Sequence, residues 1–357
     1  MKAIAVLPGK EGFEFVNITE PQVVKGKVKL KTLYVGICGT DKAIVNNALG
    51  FVRPPQGEDK LIIGHEGLAK VVEVGEGVEG LREGDLVVPM VRRGGSCFHS
   101  RFGRQDYCED ESFVEAGIRG LHGFQREYFV DEPEYLVKVK DQDLGVYAVL
   151  TEPMKNVMKV VEVLQHAIAR YYEVCEDSTL SCLKAVIAGW GTEGALLAMA
   201  LKFLGIENIT AFSREESEEK AKVAELLDVE YFATKGGKAN VRDFHLFFDM
   251  TGSPEVVVEG IEGIRNNGVV VLFGTNDRAP SSELKAEVIT KVVEKNLTIV
   301  GSVDGSKGNY EQALTLISYW YARDKRVLEY FLEDALYAPE EFGEALKHRG
   351  LKAVIKW

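Results

Sequence analysis

The stretch Leu183-Lys-Ala-Val-Ile-Ala188-Gly189-Trp190-Gly191-Thr192-Glu193-Gly194-Ala195 runs from an apolar, β-prone segment through three glycines into a helix of small residues. A dinucleotide fingerprint requires this context. The backbone must pass close to a pyrophosphate, and the helix must pack tightly on the strand before it. The glycine spacing alone is weak evidence; the strand before it and the helix after it carry the reading. Gly189, Gly191, Thr192, Glu193 and Gly194 are therefore candidate cofactor contacts, with the phosphates on the helix N-terminus.

Downstream of this loop, strands and helices alternate. The helix Ala195–Leu204 ends at Gly205, a second strand covers Ile209–Phe212, and a helix over Glu216–Leu227 leads to a strand at Leu246–Met250. A helix over Pro254–Arg265, a strand at Val269–Phe273, a helix over 282–294 and a strand at Leu297–Val300 complete the run. Such alternation predicts a parallel, doubly wound sheet. At the end of its second strand, an NAD enzyme usually carries an acid for the ribose hydroxyls. Here the residues are Ser213 and Arg214, which suit a 2′-phosphate that a carboxylate would repel. NADP is favoured, with NAD as the alternative; the competing reading makes Arg214 a solvated helix-start residue.

Upstream, short β-prone segments with glycine turns suggest a partly closed barrel. From Met154 to Tyr172 the pattern becomes helical, with Val157, Val160, Val161, Leu164 and Ile168 on one face. The same half contains Cys38-Gly-Thr-Asp41, Gly64-His65-Glu66 and Glu152-Pro153. Alone, Cys38 or His65 would more often be an ordinary core residue. Together with Glu66 and Glu152 they form a thiolate, imidazole and carboxylate set that suits zinc, with an open position for catalysis. Metal and nucleotide loop together indicate hydride transfer.

Composition narrows the partners. The 357 residues are long enough for two domains. The formal net charge of −12 argues against nucleic acid or an anionic membrane as partner. No apolar run reaches the length of a membrane span, and the first residues read as a strand, so no signal peptide or anchor is expected. A cytoplasmic enzyme is the expectation. Five cysteines, Cys38, Cys97, Cys108, Cys175 and Cys182, are then thiols or metal ligands by default.

The chain resembles the zinc-dependent medium-chain dehydrogenases, and within them the archaeal glucose dehydrogenases. The resemblance covers essentially the whole length, through the motifs above and Gly-Asp-Leu-Val-Val-Pro at 84–89, Gly-Arg-Gln-Asp-Tyr-Cys at 103–108, Glu-Ala-Gly-Ile at 115–118, Asp-Met-Thr-Gly at 249–252, Leu-Phe-Gly-Thr at 272–275 and Gly-Ser-Val-Asp at 301–304. It implies an α/β architecture: a GroES-like β-barrel catalytic domain over 1–155 and 306–357, and a Rossmann nucleotide-binding domain over 156–305. It also implies one catalytic zinc on Cys38, His65 and Glu152, with Glu66 as an exchangeable ligand. Thr40 would relay the hydroxyl proton and Asp41 would support the site from behind. Glu115, and with it Thr40, Glu152 and Asp304, would face the sugar. Backbone at Phe273, Gly274, Thr275 and Val303 would hold the nicotinamide carboxamide. The implied reaction oxidises an aldose at its anomeric carbon, D-glucose first and D-galactose next, in a homodimer or homotetramer. A zinc polyol, alcohol or L-threonine dehydrogenase is the alternative enzyme. A non-catalytic NADPH-binding relative would lack the ligands present here.

Departures from the family pattern carry information too. Where relatives have a four-cysteine structural zinc lobe, only Cys97 and Cys108 remain, with Gly94 and Ser100 in the other places. Two thiolates cannot close a tetrahedral site, so no structural zinc is expected, although His99 and Asp106 are the nearest substitutes. A Cys97–Cys108 disulfide is one replacement, and Cys175–Cys182 is a second pair; free thiols are the alternative for both. Asp304 stands where the relatives are expected to have asparagine, and Glu294 where they have histidine. Altered sugar preference is one reading, and local pairing or a solvent-facing position the other.

Overall fold

The computed structural model describes residues 1–109, 112–169, 175, 179–275, 285–332 and 334–357. The chain divides into two compact units, Met1–Lys155 with Asp304–Trp357, and Asn156–Val303.

The first unit is built on one long strand, Val28–Ile37, whose inward side chains Val28, Leu30, Val35 and Ile37 are buried. It pairs antiparallel with Glu66–Val74, Tyr128–Asp131 and Ala353–Lys356, the last arriving from the far end of the chain. Leu86–Pro89 and Leu136–Lys138 extend the sheet on one side and Leu336–Tyr337 on the other. This is the partly closed, GroES-like barrel. Two apolar clusters fill it, one around Ile4, Ile37, Ile63 and Ile355, the other around Leu30, Val71, Phe124 and Phe129. Register matters for chemistry here. Gly36 lies opposite Glu66, and a side chain at Gly36 would collide with the Glu66 carboxylate.

The second unit is a six-stranded parallel sheet. Its order is Glu230–Ala233, Asn208–Ser213, Lys184–Ala188, Phe244–Asp249, Ile264–Leu272 and Thr298–Gly301. The first strand in sequence lies in the middle and the order reverses beside it, the arrangement that binds nucleotides at the carboxyl ends of the strands. The edge strand Glu230–Ala233 is absent from the sequence reading. Helices Thr192–Phe203, Glu218–Leu226 and Pro254–Gly263 alternate with the strands. The last helix spans Ala286–Glu294; the start expected at 282, like the expected end of the helix from Met154 at 172, lies outside the described residues.

Candidate functional site

Cys38 follows the long strand and caps the short helix Gly39–Val45. Its sulfur accepts the Thr40 backbone N–H at 3.2 Å, and its own N–H donates to Asp41 Oδ2 at 3.0 Å. His65 follows Gly64, which holds φ at +87°, a conformation suited to glycine. Its Nε2 faces Cys38 Sγ at 3.0 Å and its Nδ1 faces Asp41 Oδ1 at 3.4 Å. Burial alone would keep the ring neutral, yet the thiol and carboxylate on its two sides outweigh that and favour a proton. A metal cation would take that proton's place.

Glu66 opens the next strand and Glu152 sits in the first turn of the helix Thr151–Ile168. Donor atoms of His65, Glu66 and Glu152 lie within 4.8 Å of one another, as do those of Cys38, Asp41 and His65. Asp41, His65, Glu66 and Glu152 are buried and Cys38 is half-buried. A thiol, an imidazole and carboxylates grouped in a buried place form a mixed donor set that fits zinc. The sequence did not reveal the counter-charge to Glu66. Both Glu66 oxygens lie 2.7 Å from Lys352 Nζ, and neither residue is more than 2% exposed. Burial pushes the Glu66 carboxyl up, and Lys352 opposes that shift. Lys352 arrives with the strand Ala353–Lys356, whose first residue pairs with Ile37. A lone lysine before a C-terminal strand carries no local signature of this role.

The remaining expected sugar contacts of this unit are held in a chain of charges. Glu115 Oε1 accepts from Arg92 at 2.9 and 3.1 Å, and Arg119 lies 3.4 Å from its other oxygen. Asp304 is buried, pairing with Lys155 through one oxygen and with Arg92 at 3.1 Å through the other. Lys155 reaches Glu152 at 3.3 Å. Desolvation would lower the Lys155 ammonium, but Asp304 and Glu152 hold it well above its ordinary range. Asp304 thus pairs locally.

The nucleotide loop stands alone in the second unit. Gly191 caps the helix Thr192–Phe203, and a side chain there would meet nothing within 4 Å. Gly189 holds φ at +107°, and a Cβ on Gly194 would strike the Gly189 carbonyl. The loop therefore offers open space over a helix N-terminus and close packing beneath, which fits a pyrophosphate. Glu193 accepts from Asn156 Nδ2 at 3.0 Å. Ser213 hydrogen-bonds the Glu215 carbonyl and Tyr231 Oη, while Arg214 is exposed. Phe273 and Gly274 donate backbone N–H groups to the Asp249 carbonyl, and Thr275 follows them. Val303 is 60% exposed, and Glu294 is exposed at the end of its helix.

In the lobe of 94–108, Cys97 and Cys108 form a disulfide, and Cys175 and Cys182 form a second. Ser100 Oγ lies 2.9 Å from Cys97 Sγ and 3.7 Å from Cys108 Sγ, and a side chain on Gly94 would press on Ser100. The four positions still converge, with a covalent bond joining the two thiols that remain.

A GroES-like barrel with a cysteine, histidine and glutamate donor set, followed by a doubly wound sheet with a glycine fingerprint, defines a medium-chain dehydrogenase. Residues 24–141 match the alcohol dehydrogenase GroES-like domain, and residues 145–355 match the glucose dehydrogenase C-terminus. The chain is 41% identical to a glucose 1-dehydrogenase of Metallosphaera sedula, over all of this chain and 99% of that one. A glucose 1-dehydrogenase of Thermoplasma acidophilum is 39% identical over the same shares. Among solved structures, the Haloferax mediterranei glucose dehydrogenase in complex with NADP, Zn and gluconolactone has a TM-score of 0.87 at 27% identity, covering 100% of this chain and 99% of that one. The chain belongs to the glucose dehydrogenase family of zinc-dependent medium-chain dehydrogenases.

Proposed function

We propose that this protein oxidises D-glucose at its anomeric carbon to the lactone, passing hydride to NADP. The observation that carries this reading is a pair of donor groups that share His65, with Cys38 and Asp41 on one side and Glu66 and Glu152 on the other, in a chain that also opens a Rossmann sheet with a glycine fingerprint. The full-length glucose 1-dehydrogenase relatives support the sugar, and the gluconolactone and NADP in the Haloferax complex support the product and cofactor.

Cys38, His65 and Glu152 would hold the zinc, with Glu66 as the ligand that exchanges. When bound, the metal lowers the pKa of an oxygen ligand and so makes a sugar hydroxyl easier to deprotonate. Thr40, on the helix that Cys38 caps, passes that proton outward. The C1–H bond then breaks with its electron pair going to the nicotinamide, giving lactone, NADPH and a released proton. Asp41 fixes the His65 ring from its Nδ1 side, which orients the ligand nitrogen. Lys352 balances Glu66 when that carboxylate is not a ligand. Glu115 accepts hydrogen bonds from sugar hydroxyls while Arg92 and Arg119 hold it in place. Gly189, Gly191, Thr192 and Gly194 cradle the pyrophosphate, Ser213 and Arg214 take the 2′-phosphate, and backbone at 273–275 and Val303 meets the carboxamide.

No helix of the described residues is long and apolar enough to cross a membrane. A cytoplasmic homodimer or homotetramer completes the proposal, and light scattering on the purified protein checks the assembly. The test of the chemistry is Cys38→Ala. It should abolish glucose oxidation while NADP binding, followed by calorimetry, stays at the wild-type level. Wild-type turnover in that variant would overturn the mechanism.

A further inference from the structure

The buried charges in the first unit alternate without a break. Glu152 meets Lys155, Lys155 meets Asp304, Asp304 meets Arg92, and Arg92 meets Glu115. Side-chain exposure along this row never exceeds 13%. One end is a carboxylate of the metal donor set and the other is the carboxylate assigned to sugar hydroxyls. Asp304 stands in the middle, with one oxygen toward each cation. Its backbone sits at φ +57°, a left-handed conformation that costs energy for a residue other than glycine. One carboxylate oxygen accepts from the Lys155 ammonium, and the other faces Arg92 Nε at 3.1 Å as an ion pair without a hydrogen bond.

We propose that Asp304 is a positioning residue rather than a sugar ligand: through Lys155 it sets Glu152 in the metal site, and through Arg92 it sets Glu115. The inference rests on the reading of Glu152 as a metal ligand and Glu115 as a sugar contact. Lys155 is fully enclosed, with a cation's desolvation to offset and two carboxylates to share. With Asp304 in place, the ammonium divides its attraction, and Glu152 keeps donor capacity for a metal. Without that charge, Lys155 has Glu152 as its remaining carboxylate partner and draws it away. Partners behind a metal ligand typically change metal affinity or activity about 10- to 100-fold when removed. The unusual aspartate thus ties the metal set to the sugar set through one buried group.

The experiment measures zinc affinity of metal-stripped protein by competition with a chromophoric chelator, alongside kcat and KM for D-glucose. Asp304→Asn keeps the shape and removes the charge. It should weaken zinc about 10-fold or more and raise the glucose KM. In a Lys155→Met background the same substitution should no longer weaken zinc, because the connecting cation is gone. Lys155→Arg should keep zinc affinity near wild type where Lys155→Met loses it, which preserves the test if Asp304→Asn does not fold. A raised KM with unchanged zinc affinity would make Asp304 a direct sugar contact and overturn the proposal. So would an equal loss of zinc in both Lys155 backgrounds. Glu152→Gln separates the two levels. If it weakens zinc and Asp304→Asn does not, the positioning role alone fails; if Glu152→Gln leaves zinc unchanged, the ligand reading fails and the positioning role falls with it.

Discussion

At the residue scale the site depends on charges that balance in pairs. His65 lies between a thiol and a carboxylate, Glu66 faces Lys352, and Glu115 faces two arginines. The cofactor preference also rests on single side chains. Arg214 is exposed at the end of the second strand, where a 2′-phosphate would gain a guanidinium and meet no carboxylate at Ser213. Arg214→Ala should therefore raise the KM for NADP about tenfold or more, the loss of one charge-assisted contact, and leave that for NAD nearly unchanged. Equal losses for both cofactors would contradict the 2′-phosphate role. The candidate donors Cys38, His65, Glu66 and Glu152 could be picked out because each sits in a short motif of unusual composition. Lys352 and Lys155 were not. Lys352 meets Glu66 across 286 residues of sequence, and Lys155 meets Asp304 across 149. Nothing local marks either one.

At the scale of elements, the strand, loop and helix around Gly189 are the part most fully readable beforehand. Spacing, small residues and the apolar run before them all demand the same local geometry. Gly194→Ala should cost about 1–3 kcal/mol from overpacking and weaken NADP, because the new methyl group strikes the Gly189 carbonyl. Thermal unfolding and calorimetry check the two effects. The strand Glu230–Ala233 escaped notice because it is short and at the edge of the sheet, with no residue fully buried. In the barrel, the Asp85 turn ties one element to another. Burial would raise its carboxyl, but hydrogen bonds from Lys138 Nζ at 2.7 Å and Arg82 N at 3.0 Å outweigh this and hold it below the ordinary range. A depressed carboxyl adds stability that is complete above its unfolded value, about 3.9. That contribution is lost as pH falls through the lower folded value. Asp85→Asn should lower the melting temperature at neutral pH and narrow the gap to wild type as pH falls below about 4. A constant gap would contradict the assignment.

At the scale of the whole molecule, the candidate metal donors and the glycine loop fall in different units. The first unit holds the donor set and the charge row that ends on Glu115; the second holds the nucleotide loop. The change in sequence grammar near Glu152 marked this division, because period-two strands with glycine turns give way to helical spacing there. The return of the chain to the first unit at Asp304 has no such change of spacing, and the resemblance put it at 306. The Cys97–Cys108 and Cys175–Cys182 disulfides were one of two open readings, because sequence spacing cannot report redox state. The most direct test of the central claim is NADPH formation from D-glucose by protein stripped of metal and then titrated with zinc. The account predicts no activity in the stripped protein and full recovery at one zinc per chain. Activity that survives complete metal removal, or no glucose turnover in fully loaded protein, would contradict it.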